Sequence, residues 1–168
     1  NEWSDYCNKI SEIAKRLSDI GLPMSYHEHM GTIIQSDQDI YRLLDNTDDK
    51  TSLLFDTGHI FFAKGDYESI LKKYVSRVNH VHCKDIRKEI LNRSLSNDLS
   101  FRDSFLEGVF TVPGDGYINY KPLFETLYDN KYSKWLIVEA EQDPKKANPL
   151  KYAKIGYKYL NRILTEVG

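Results

Sequence analysis

The hydrophobic pattern of this sequence switches repeatedly between a helical and a strand period, and few folds accept such a chain. Ile10, Ile13, Ala14, Leu17 and Ile20 recur at helical spacing, with Gly21 as a stop. Residues 23–29 then read as a strand. Ser36, with Asp39 three residues on, marks a helix start, and Ile40, Leu43 and Leu44 make its apolar stripe. Residues 52–56 read as the next strand. Asp66 opens a helix that turns Ile70, Leu71, Tyr74 and Val75 inward, and residues 78–82 form a third strand. Residues 84–119 are less regular. They suggest one or two short helices and end in Pro113-Gly114-Asp115-Gly116, a tight turn in which glycine supplies a positive φ. A helix over 121–130, a strand over 135–140 and a helix over about 150–164 complete the series. Alternation of this kind predicts an α/β fold, a parallel sheet with helices outside it. The first three strands start about 26 to 28 residues apart, the size of one βα unit. Four strands are half of the eight in a TIM barrel, which takes about 250 residues. The count alone fits either a half-barrel or a small open sheet.

The rest of the composition narrows the class. The 168 residues read as a single domain, 1–168. Apolar residues, at 40%, supply a core. A net charge of -2 and a pI near 6.2 argue against a dedicated nucleic-acid binder. No apolar run approaches the roughly 18 to 20 residues of a membrane span. The opening Asn1-Glu2-Trp3-Ser4 has neither a basic nor an apolar stretch, so no signal peptide is read there. It also lacks a Met, so residues upstream are expected. Cys7 and Cys83 give neither a disulfide framework nor zinc spacing, and a reducing cytoplasm is expected.

The ionisable residues are placed unusually. His27 and His29 close the first strand. His59 follows Asp56, the end of the second, by three residues. His80 and His82 close the third, and Glu139 and Glu141 the fourth. In parallel α/β folds, that edge is where active sites lie. Residues two apart share a strand face, so His80 goes with His82, and Glu139 with Glu141. His27 and His29 share a face that excludes Glu28. One pocket then gathers several imidazoles and at least two carboxylates, a costly grouping without a compensating cation. Nitrogen and oxygen donors without cysteine suit Mn²⁺, Co²⁺, Mg²⁺ or Zn²⁺. Single features have plainer readings. Asp56 also suits a helix cap, Glu141 a rim carboxylate, Cys83 the core, and Arg87-Lys88 a solvated helix face.

Five segments occur in order: Tyr26-His27-Glu28-His29-Met30-Gly31-Thr32, Asp56-Thr57-Gly58-His59, His80-Val81-His82-Cys83-Lys84-Asp85, Phe110-Thr111-Val112-Pro113-Gly114-Asp115-Gly116 and Val138-Glu139-Ala140-Glu141-Gln142-Asp143-Pro144. Together they resemble the inosose dehydratase family of the sugar isomerase/epimerase-like TIM barrels, which also hold xylose isomerase and endonuclease IV. The resemblance runs from Tyr26 to the last helix and corresponds to barrel strands five to eight. It implies a half-barrel whose N-terminal four strands lie elsewhere. It implies one divalent metal, Mn²⁺ or Co²⁺ foremost, on Asp56, His82 and Glu139. The strand-five ligand, usually Glu, falls on His27; His29 and a water are the alternatives, and Glu28 should point away. His59, Lys84 and Glu141 are implied for proton transfer and substrate anchoring. The implied reaction removes water from 2-keto-myo-inositol, a small polyhydroxylated ketone, in inositol breakdown, and the family is described as using glutathione. A ketose 3-epimerase, a hydroxypyruvate isomerase and a non-catalytic half-barrel fragment are the other readings. An abasic-site endonuclease would need a basic groove. An open sheet edge also leaves room for a homo-oligomer.

Overall fold

The computed structural model describes residues 2–168. Helix α1 (Glu2–Asp19) leads into strand β1 (Ser25–His27), then α2 (Asp37–Leu44) and β2 (Ser52–Asp56). A short helix, α3 (Thr57–Phe62), follows β2 without a break, and α4 (Tyr67–Tyr74) leads to β3 (Val78–Cys83). Then come β4 (Asp85–Ile86), α5 (Lys88–Ser96), α6 (Phe101–Glu107) and β5 (Phe110–Thr111). The chain ends with α7 (Tyr120–Asp129), β6 (Trp135–Val138) and α8 (Pro149–Val167).

Strands β1, β2, β3 and β6 form one sheet in that order, parallel at every junction. This is the parallel sheet expected from the alternation. The two faces of the sheet differ. Leu53, Phe55, Val81 and Cys83 point toward the helices and are fully buried with Ile40, Leu43, Ile70, Tyr120, Leu123 and Leu160. Leu54, His80 and His82 point the other way and are only partly covered. The helical side therefore holds the core, and the polar side chains collect on the concave side.

Local chemistry explains the boundaries. Ser36 and Asp39 form a reciprocal capping box on α2, and Asp66 caps α4 through the Ser69 N–H. Gly21 and Gly114 adopt positive φ, as their turn positions demand. Several expectations need correction. Strand β1 stops at His27, because Gly31 takes φ +80° and Thr32 donates to the carbonyls of His29 and Ile34, closing a turn. His29 thus leaves the strand. Strand β6 ends at Val138, so Glu139 and Glu141 lie just past it; the Glu139 N–H still reaches the Cys83 carbonyl at 3.4 Å. His80 lies mid-strand, beneath the edge.

The insertion after β3 carries two helices, as expected, and also the antiparallel pair β4–β5. It builds a second apolar cluster of Phe62, Ile86, Leu91, Val109 and Phe110, with Met30, Ile90 and Phe101 against it. Arg87 is not part of a solvated face. It donates to the Gly108 carbonyl at 2.7 Å and to Asp115 at 2.6 Å, so it staples this insertion together. Lys88 lies over the Tyr117 ring.

Candidate metal centre

The C-terminal ends of β2, β3 and β6 bring Asp56, His82 and Glu139 together as one group of converging donors, and His27 at the end of β1 meets Asp56 in a neighbouring group with His59. Asp56 Oδ2 is the hub. His82 Nδ1 lies 3.4 Å from it and His27 Nε2 3.6 Å, both too long for a hydrogen bond. Glu139 Oε2 stands 3.9 Å from His82 Nδ1. All four atoms are buried and none makes a hydrogen bond, although Lys84 Nζ forms ion pairs with Glu139 Oε2 at 2.8 Å and Asp56 Oδ2 at 3.3 Å. Buried polar atoms without hydrogen bonds are costly and uncommon, and a cluster of them needs a reason. A divalent ion supplies one: donors each about 2.1 Å from a shared ion sit roughly 3.0 to 4.2 Å from one another. The observed spacings fall in that range, and the nitrogen and oxygen donors suit a divalent cation.

Asp56 also explains why its segment folds as it does. Its Oδ1 accepts the His59 N–H at 2.9 Å, capping α3, while Oδ2 faces the pocket. The cap and the site role suggested by the sequence are both present, on different oxygens. Burial works against its charge, yet His27, His82 and Lys84 beside it hold the carboxyl well below the usual range.

Lys84 continues the alternation of His82 and is 1% exposed. Its Nζ lies 2.8 Å from Glu139 Oε2, 3.3 Å from Asp56 Oδ2, 2.9 Å from Glu141 Oε2 and 2.8 Å from His59 Nε2. Burial opposes its charge, but the carboxylates of Asp56, Glu139 and Glu141 prevail and raise its pKa. Burial keeps His59 neutral, although Glu141 at 3.3 Å pulls the other way. His29, His59 and Glu141 form a second group of converging donors. His29 shares no group with Asp56, His82 and Glu139, and its Nδ1 is engaged by the Met30 carbonyl at 2.8 Å. His27 meets that group only through Asp56, at 3.6 Å. His80 joins none of these groups among the described residues.

Several contributors were invisible in the sequence. Glu28 belongs to no donor group, as expected, but it is not idle: its Oε1 accepts the Asp56 N–H at 3.0 Å. Burial first, then the Asp56 charge, push its pKa well up. Thr57 donates to the Lys84 carbonyl at 2.7 Å, tying α3 to the end of β3. Phe101 and Phe110 wall the pocket, with ring centroids 5.9 and 5.3 Å from His59.

Gly58 gives the Lys84 stem its space. A Cβ there would stand 2.6 Å from Lys84 Cγ and 2.9 Å from its Cβ. Gly58→Ala should therefore cost about 1 to 3 kcal/mol in urea unfolding. No loss of stability would show that the stem is free to move aside.

Acid should loosen the site. Burial raises the Glu141 carboxyl, but His59 and Lys84 outweigh it and hold it at about 2, against 4.5 when free. A folded-state pKa below the unfolded one gives stability that is present above pH 4.5 and lost as pH falls toward 2. Glu141→Gln should flatten that part of the stability–pH profile. An unchanged profile would remove Glu141 from the ion-pair cluster.

Comparison with known proteins places this geometry. Residues 1–163 match the model of the xylose isomerase-like TIM barrel family. The chain belongs to that family. Among relatives of this xylose isomerase-like chain, the rhizopine catabolism protein MocC of Rhizobium meliloti is 43% identical over 167 residues, covering 99% of this chain and 51% of the relative. An inosose dehydratase of Bacillus velezensis is 44% identical over 98% of this chain and 56% of its own length. The chain thus spans about half the length of the curated relatives it matches. Among solved structures, the probable 3-DHS dehydratase AsbF from Bacillus anthracis superposes with TM-score 0.71 at 16% identity, over 94% of this chain and 56% of that one. The zinc-bound IOLI protein gives 0.68 at 15% identity, over 95% and 55%. At such identities the likeness establishes the fold. Among the described residues no helix is long and apolar enough to cross a membrane. Both cysteines are free and buried.

Proposed function

We propose that this chain is the metal-holding half of a dehydratase that removes water from 2-keto-myo-inositol. The observation that carries the metal is the convergence of the buried Asp56, His82 and Glu139 donors, with His27 beside Asp56 and none of these atoms hydrogen-bonded. Inosose dehydratases about 44% identical over nearly the whole chain direct the reading to this substrate. His27, Asp56, His82 and Glu139 would hold the ion; Mn²⁺ or Co²⁺ is our first choice, with Zn²⁺ and Mg²⁺ as alternatives.

When bound, the ion supplies a Lewis acid beside the ketone oxygen, which acidifies the neighbouring C–H. The chain's own residues divide the proton work. His59, held neutral by burial, is suited to accept the α-proton. Lys84, held charged, is suited to protonate the departing β-hydroxyl. Loss of water leaves an enol that tautomerises to the cyclic dione. Glu141 bonds to Lys84 at 2.9 Å and keeps its ammonium aimed into the pocket. Phe101 and Phe110 exclude water from one side. We assign no residue to glutathione.

We take the active unit to be a full barrel, because the concave face here is only partly covered and β1 and β6 are edges of the sheet. We place it in the cytoplasm, where its buried thiols stay reduced. The test is to incubate the full-length protein with inosose and Mn²⁺ and follow dione absorbance, then repeat with ketoses. Dione from inosose, abolished by chelator, is expected. Epimerised ketose without dione would instead make the protein an isomerase of the same family.

A further inference from the structure

Lys84 stands among the very donors that would hold the ion. On one side its Nζ touches Glu139 Oε2 at 2.8 Å and Asp56 Oδ2 at 3.3 Å, two of the atoms that would hold the ion. On the other it touches Glu141 Oε2 at 2.9 Å and His59 Nε2 at 2.8 Å. Glu141 and His59 lie outside the Asp56–His82–Glu139 group and make their own group with His29. An ammonium and a divalent ion compete for the first pair of carboxylates. Unit charges about 4 Å apart near a protein surface repel strongly enough to change an affinity about tenfold or more. The charges of the three carboxylates, Asp56, Glu139 and Glu141, match one divalent ion and one ammonium, so the second group has no charge left for a second ion.

We propose that Lys84 is a cation with two berths: it neutralises Asp56 and Glu139 while the metal site is empty, and settles on Glu141 and His59 when the ion enters. Its stem is wedged against Gly58 from Cβ to Cδ, so only the head group moves. The metal thus binds against an internal competitor, and Glu141 sets how readily that competitor yields. The proposal rests on the metal assignment above.

The experiment measures Mn²⁺ affinity of the full-length protein by titration calorimetry, without reference to turnover. It compares the wild type with Lys84→Met, Glu141→Gln and the double variant. Lys84→Met should bind about tenfold more tightly or better. Glu141→Gln should weaken binding by a similar factor while Lys84 is present, and have no effect in the Lys84→Met background. Affinity in Lys84→Met equal to or below the wild type overturns the proposal. So does an equal Glu141→Gln penalty in both backgrounds, which would make Glu141 an ordinary ligand. Should Lys84→Met fail to fold, Glu141→Gln alone decides, because unchanged affinity there contradicts the second berth. A wild type that binds no Mn²⁺ would remove the metal assignment itself.

Discussion

Asp56→Ala should reduce dehydration of inosose by at least about a thousandfold and Mn²⁺ affinity by more than about a hundredfold. Both of its oxygens are engaged. Its Oδ2 lies within 3.6 Å of His27, His82 and Lys84, and its Oδ1 caps α3 through the His59 N–H. Removing the carboxylate leaves two imidazoles and Glu139 without their hub and loosens the helix that carries His59. Asp56→Asn separates the two contributions. The amide oxygen can still cap α3, so stability should recover most of the roughly 1 kcal/mol that a lost cap costs. The charge does not return, so activity should stay near the Asp56→Ala level. Glu139→Gln should behave like Asp56→Asn. Near wild-type turnover in either variant would take the metal away from these residues.

The second large effect concerns stability and reverses sign with metal. In chelator, Lys84→Met should destabilise the protein by about 3 to 5 kcal/mol, the usual penalty for stripping one partner from a buried ion cluster. Asp56 is fully buried, and Glu139 and Glu141 are about 30% exposed, so water compensates only partly for the lost ammonium. With saturating Mn²⁺ the same variant should regain much of that loss, since the ion takes over the neutralisation and binding adds stability by mass action. Urea unfolding with and without Mn²⁺ measures both. Equal destabilisation in the two conditions would mean that Lys84 and the ion do not share carboxylates.

Much of this arrangement was legible because period-two alternation decides which residues share a face. Once residues 52–56 and 78–82 read as strands, the convergence of Asp56 and His82 followed, and Lys84 followed from His82. Helix starts at Ser36 and Asp66 were legible because capping is a local interaction. The misses were tertiary. Glu28 was expected to point away from the pocket, and nothing local shows that its carboxyl reaches the Asp56 N–H across the sheet. The need for Gly58 depends on a lysine stem arriving from the next strand. Arg87 looked like surface because its partners Gly108 and Asp115 lie about 20 to 30 residues away. The two-residue strands β4 and β5 are too short to show a period at all. His80 was assigned to the edge with His82, but β3 runs on to Cys83, which leaves His80 deeper in the sheet.

The central claim is that His27, Asp56, His82 and Glu139 share one divalent ion. The most direct test is an anomalous difference map from crystals of the full-length protein grown with Mn²⁺, collected at the manganese edge. The account predicts a single strong peak about 2.0 to 2.3 Å from Nε2 of His27, Oδ2 of Asp56, Nδ1 of His82 and Oε2 of Glu139. No peak at saturating metal, or a peak held by His29, His59 and Glu141 instead, would contradict it.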